Sequence, residues 1–196
     1  MMNLRKSGLC IPILMLLLIC SSCMLMKNGA PPQTKDRSSQ QGSSQTPDQI
    51  KQQMTAGHYA KVIDLHKAEI EKSPQNPDLM KDYVKSLEEM NAAAERASGR
   101  NDFASAGKTY NVLLKRYRDF KDVNHLLSFD KAQIHSRLAD CKTALYQKGF
   151  QKYRDGNLRE AISLWQDYLA IDPDNTDIKK ALNTAKAQQK NLQQTK

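Results

Sequence analysis

No stretch of this chain alternates apolar and polar side chains with period two over any useful length, which argues against a half-buried β-sheet before anything else is read. The apolar residues recur instead at intervals of three and four, so the 196-residue chain is expected to be all-helical. Thr46-Pro47-Asp48-Gln49 supplies a cap, a proline at the first helical position and a glutamine three residues on, and starts a helix. Gly57-His58-Tyr59 turns the chain into a second helix carrying Val62, Ile63, Leu65 and Ile70 as far as Pro74. Asn76-Pro77-Asp78 starts a long helix through Leu79, Met80, Tyr83, Val84, Leu87 and Met90 to Gly99. A turn at Asn101-Asp102-Phe103 leads to Ala106, Tyr110, Leu113, Leu114 and Tyr117. Residues 119–129 read as one short helix carrying Val123, Leu126 and Leu127. Asp130-Lys131-Ala132-Gln133 forms a capping box for a helix with Ile134, Leu138, Cys141, Leu145 and Gly149 on one face, ending near Arg154. Asn157 and Glu160 cap the next helix, and beyond Pro173 a last one is amphipathic through Ile178, Ala181, Leu182 and Ala185.

The most informative stretch runs from Tyr146 to Asn175, YQKGFQKYRDGNLREAISLWQDYLAIDPDN. It resembles one tetratricopeptide repeat, a helix-turn-helix unit of about 34 residues. The resemblance puts Gly149 and Gly156 in the first helix and the turn, Ala161 at the opening of the second helix, Trp165 at its large aromatic position and Pro173 at the end of the unit. Lys148 and Lys152 depart from the pattern, since both positions are usually apolar. Gly57 and Pro74 stand as far apart as Gly156 and Pro173, so a degenerate repeat precedes it, with Val62 for the small residue and His66 for the aromatic one. The expected architecture is all-α: a short TPR-like solenoid of helical hairpins over residues 46–196, clearest at 142–175, with a capping helix at 176–194 covering its last face.

The N-terminus reads separately. Arg5 and Lys6, an apolar run from Leu9 to Cys20, and Ser21-Ser22 before Cys23 have the layout of a secretory signal. The run of about 12 apolar residues is shorter than the ~20 a membrane-spanning helix needs. Cys20-Ser21-Ser22-Cys23 resembles a bacterial lipobox, with Cys20 where leucine is usual; the resemblance implies cleavage after residue 22, lipidation of Cys23 and, with Met24 following, sorting to the outer membrane facing the periplasm. The polar stretch up to residue 45, with Pro31, Pro32 and its Ser, Gln and Gly cluster, is a flexible tether. The net charge of +9 falls to +7 without Arg5 and Lys6. Cys141 is then left without an intramolecular partner.

Function is expected to be binding. Tyr146, Phe150 and Tyr153, with Arg154 beside them, recur at the spacing of one helix face and are candidates for contacting a partner protein or peptide, unless that face packs against the preceding helices. Trp165 is a packing residue or a stacking one. Lys115, Arg116, Arg118 and Lys121 form a basic cluster that suits an anionic envelope polymer or lipid surface, or a solvated helix end. No nucleic-acid partner is expected for an exported chain. His58, His66, His125 and His135 lack metal-ligand spacing, and no nucleophile elbow, phosphate loop or Cys-x-x-Cys occurs, so neither cofactor, metal nor catalysis is expected.

Overall fold

The computed structural model describes residues 45–194; the leader, Cys23 and the tether expected from the sequence lie outside the described residues. The described chain is all-helical: α1 (Gln45–Thr55), α2 (Tyr59–Lys72), α3 (Pro77–Gly99), α4 (Phe103–Lys115), α5 (Lys131–Arg154), α6 (Leu158–Ile171) and α7 (Thr176–Gln194). None of these helices is long and apolar enough to cross a membrane.

Three tight turns organise the helices into hairpins. Gly57, Asn101 and Gly156 all adopt left-handed φ values, of 72°, 62° and 75°. In each turn the next residue donates its N–H back five residues, from His58 to Gln53, Asp102 to Ala97 and Asn157 to Lys152, all at 2.9 Å. This is the bonding that closes a helix on a left-handed residue and satisfies its last carbonyls. The same residue then caps the following helix in two turns, Asp102 accepting from Ser105 N and Asn157 from Glu160 N. Asp130 and Gln133 form the reciprocal box at the start of α5.

Aligning Asn101 with Gly156 brings the α3–α4 and α5–α6 hairpins into one register. Their first helices have 23 and 24 residues and their second helices 13 and 14, so each first helix is ten residues longer than its partner. Ala94 then matches Gly149, Ala106 matches Ala161 and Tyr110 matches Trp165, all six buried. The α1–α2 hairpin keeps the turn and the second helix, but α1 has 11 residues and no overhang.

Between α4 and α5 the chain does not form the single short helix expected. It makes two 3-10 turns, Tyr117–Phe120 and Asn124–Leu126, that bury Phe120, Val123 and Phe129 and leave Leu126 55% exposed. Tertiary anchors override the helical pattern: Phe120 meets Tyr83 edge-on at 6.2 Å, and Ser128 donates its N–H and its hydroxyl to Glu88. Arg116 reaches Asp64 and Asp119, and Lys67 pairs with Asp119 at 2.7 Å, tying the start of this excursion to α2.

Close approach of helices rests on two glycines. A Cβ on Gly149 would lie 2.3 Å from Trp165 Nε1, and one on Gly107 would lie 2.4 Å from Ile171 Cδ1. Gly107 drew no notice in the sequence because it sits inside a helix, where glycine ordinarily only weakens the element. α7 buries Ile178, Leu182 and Ala185. Matching Asn76 with Asn175, which cap α3 and α7, places Lys186 and Gln189 of α7 where α3 has the fully buried Leu87 and Met90. Two positions that are fully buried in α3 are thus polar in α7. Lys148 stands over the Phe103 ring at 4.5 Å and Lys152 pairs with Glu160, so both snorkel rather than loosen the packing.

Gly149→Ala is expected to destabilise the fold by about 1–3 kcal/mol, the usual cost of overpacking, because the indole has no room to retreat. Gly99→Ala, with nothing within 4 Å of its Cβ, is expected to be neutral or stabilising. Urea unfolding of both variants checks the pair, and equal losses would count against the close-approach account.

Candidate functional site

The aromatic face expected to contact a partner is built around Trp165, which is fully buried. Phe150 meets its ring edge-on at 4.9 Å, Tyr153 lies tilted at 5.6 Å, and Tyr146 follows Phe150 at 4.7 Å. Phe150 and Tyr153 are half-buried by this packing, whereas Tyr146 stays 43% exposed. Arg154 is exposed and donates to Gln151 Oε1. The four residues share a helix, but only Tyr146 and Arg154 present themselves to solvent.

The basic cluster divides in the same way. Lys115, Arg118 and Lys121 are exposed, while Arg116 is half-buried between two carboxylates. Hydrogen bonding to Asp64, reinforced by Asp119, holds its guanidinium pKa above even the ordinary arginine value. The Asp119 carboxyl is held below its usual range, first by Lys67 and then by Arg116. Arg116 therefore serves the fold.

One apolar opening was not anticipated. Between α1, α2 and α3 lies a groove of about 650 Å³ lined by Ile50, Met54 and Leu79, with His66 beneath and Lys51, Asp82, Lys85 and Glu89 along its rim. Register explains the opening. Aligning Gly57 with Gly156 puts His66 where Trp165 stands and Lys51 where Phe150 stands, so the aromatic volume that closes the last hairpin is missing from the first. The signal was present in the sequence as the His66 substitution, which read there only as a worn repeat.

His66 is 4% exposed, shares a 2.8 Å hydrogen bond with Ser86 Oγ and stacks on Tyr83 at 5.2 Å. Burial lowers its pKa to about 4, outweighing the nearby Asp82 carboxylate, so the imidazole beneath the groove is neutral at pH 7. Burial pushes the Cys141 thiol up to about 11, which leaves it unreactive.

A second groove, of about 670 Å³, opens on the other part of α5, where His135, Ala139, Thr143 and Tyr146 face Leu114 and Tyr168. Lys142 crosses its edge, bonded to Asp172 and 5.8 Å from the Tyr168 ring centre. Among the described residues no group of His, Cys, Asp and Glu is arranged to hold a metal ion. Comparison with family models, curated proteins and solved structures finds no match for the chain.

The lowered His66 pKa sets a pH dependence. The unfolded chain binds a proton near pH 6.5 and the native site only near 4, so this contribution is intact above 6.5 and is lost as pH falls from 6.5 to 4. The loss is expected to be on the order of 3 kcal/mol. In His66→Phe that part of the slope should vanish; stability measured by urea across this range would show it, and an unchanged slope would clear His66 of the effect.

Proposed function

We propose that this protein is a non-catalytic adaptor, a short TPR-like superhelix that holds a segment of another protein in the groove between α1 and α3. The observation that carries the reading is the groove itself: Ile50, Met54 and Leu79 form an apolar floor, and the rim bears Lys51 and Lys85 as well as Asp82 and Glu89. An apolar strip flanked by both signs of charge suits an amphipathic segment whose anchors enter the floor and whose polar side meets the rim. Tyr146 and Arg154 extend the accessible surface at the opposite end of the array.

The leader and Cys23 support a place in the bacterial envelope, lipid-anchored at the periplasmic face of the outer membrane. Each acyl methylene buried in the bilayer contributes ~0.8 kcal/mol, so several chains make the attachment stable. A second reading, binding of an anionic envelope polymer or lipid surface, has its own observation: Lys179, Lys180, Lys186 and Lys190 on α7 make no ion pair among the described residues, against the single acidic Asp177.

A photo-crosslinking residue in place of Lys51, on the rim of the groove, is expected to trap one discrete partner in intact cells, and none when placed at the exposed Lys61. Met54→Arg should abolish that product without changing the thermal unfolding of the domain. The same product from both positions would refute the groove. Salt separates the two readings, because polymer binding weakens steeply with ionic strength and groove binding does not. Cys23→Ala should release the chain from the membrane fraction; continued retention there would rule out the lipid anchor.

A further inference from the structure

The register shared by the α3–α4 and α5–α6 hairpins exposes a missing piece. In both, the first helix outruns its partner by ten residues, about 15 Å of helix. The α3 overhang and the turn beyond it are covered by the chain itself, since residues 116–130 lay Phe120 against Tyr83 and bond Ser128 to Glu88. After α6 a short link over residues 172–175 leads into α7, and among the described residues no such cover is supplied.

The exposures follow this difference position by position. Met80, Val84 and Glu88 of α3 are half-buried, and their register mates His135, Ala139 and Thr143 of α5 are exposed. Asn91 is 6% exposed, while its mate Tyr146 is 43% exposed. These four α5 residues all line the groove of about 670 Å³, with Leu138, Lys142 and Gln147 of the same helix.

We infer that this α5 groove is a second docking site, distinct from the α1–α3 groove, for a short non-helical segment of a partner protein carrying apolar or aromatic anchors and a carboxylate. The anchors follow from the internal cover, which fills the equivalent space around α3 with Phe120, Val123 and Leu127, in and beside two 3-10 turns. The carboxylate follows from the lining. His135, Thr143 and Tyr146 offer donors, Lys142 being held by Asp172 at the edge, and no acidic side chain among the lining residues accepts from them. α3 places Glu88 at the Thr143 position and receives a serine hydroxyl and N–H there, so the preferred chemistry at this point is reversed between the two hairpins.

Displayed random peptides selected against the full-length chain test the site. Enriched sequences are expected to combine an apolar or aromatic pair three or four residues apart with Asp or Glu. Their binding should fall at least about tenfold in Ala139→Trp, which fills the groove from an exposed position outside the core. Met54→Arg should leave it unchanged, which separates this site from the α1–α3 groove. No enrichment, enrichment of basic peptides, or binding indifferent to Ala139→Trp would overturn the proposal. So would self-association of the chain that Ala139→Trp abolishes in sedimentation, since the occupant would then be a second copy.

Discussion

How closely the two helices of a hairpin approach depends on what stands at one position of the second helix. In the last hairpin that residue is Trp165, whose indole sits where a Cβ on Gly149 would be. The approach has a cost: the indole N–H is buried without a hydrogen-bond partner, and such an orphan donor forgoes about 1–3 kcal/mol. Burial of the whole aromatic side chain and its contacts with Phe150 and Tyr153 outweigh that loss. In the middle hairpin Tyr110 holds the same position, 1% exposed. In the first it is His66, smaller and turned to Ser86 and Tyr83 of α3. The packing that closes the last hairpin is thereby traded for a polar link to the next helix, and the α1–α3 groove is what the trade leaves open.

Charge plays a narrower part than the composition suggests. The chain is basic overall, yet Arg116, Lys67, Arg137, Lys142 and Lys152 all face carboxylates from other elements or turns. Isolated exposed pairs of this kind contribute little. The Arg116, Asp64, Asp119 and Lys67 group differs because four side chains converge where the excursion leaves α4, and it fixes the direction in which residues 116–130 set out. A basic residue counted in the sequence as a binding candidate is, in that setting, the clamp for the segment that covers α3.

Helix ends were legible because they are local. Asn76-Pro77, Asp130 with Gln133, Asn157 with Glu160 and the left-handed Gly57 and Gly156 specify their boundaries within a few residues, and α3 and α5 begin and end where those signals fall. Residues 117–129 were not legible as turns, since Val123, Leu126 and Leu127 have helical spacing and only the distant Tyr83 and Glu88 decide otherwise. The open grooves were harder still. A groove is volume that no side chain fills, and the relevant comparison, Lys51 with Phe150 or Asn91 with Tyr146, joins positions that register alone relates. Gly107 was missed for the same reason: its neighbour Ile171 lies two helices away.

The mismatch in helix length explains why one hairpin is sealed and the next is not. A first helix ten residues longer than its partner presents a face that the partner cannot reach, and an apolar face left in water costs roughly 25 cal/mol per Å². On α3 that face carries Met80, Val84 and Leu87, and the chain spends fifteen residues covering it. On α5 the matching residues are His135, Ala139 and Lys142, which water tolerates, so the fold is stable without a cover. Yet Tyr146 remains at the end of the same face, with Leu114 and Tyr168 opposite. A face made merely to be solvated would carry a charge there, as α7 does with Lys190 in the register position of Asn91 and Tyr146. The α5 face instead keeps an aromatic ring and hydroxyl donors within an apolar frame, a composition that tolerates water while the site is empty and favours an apolar, acceptor-bearing segment when one arrives.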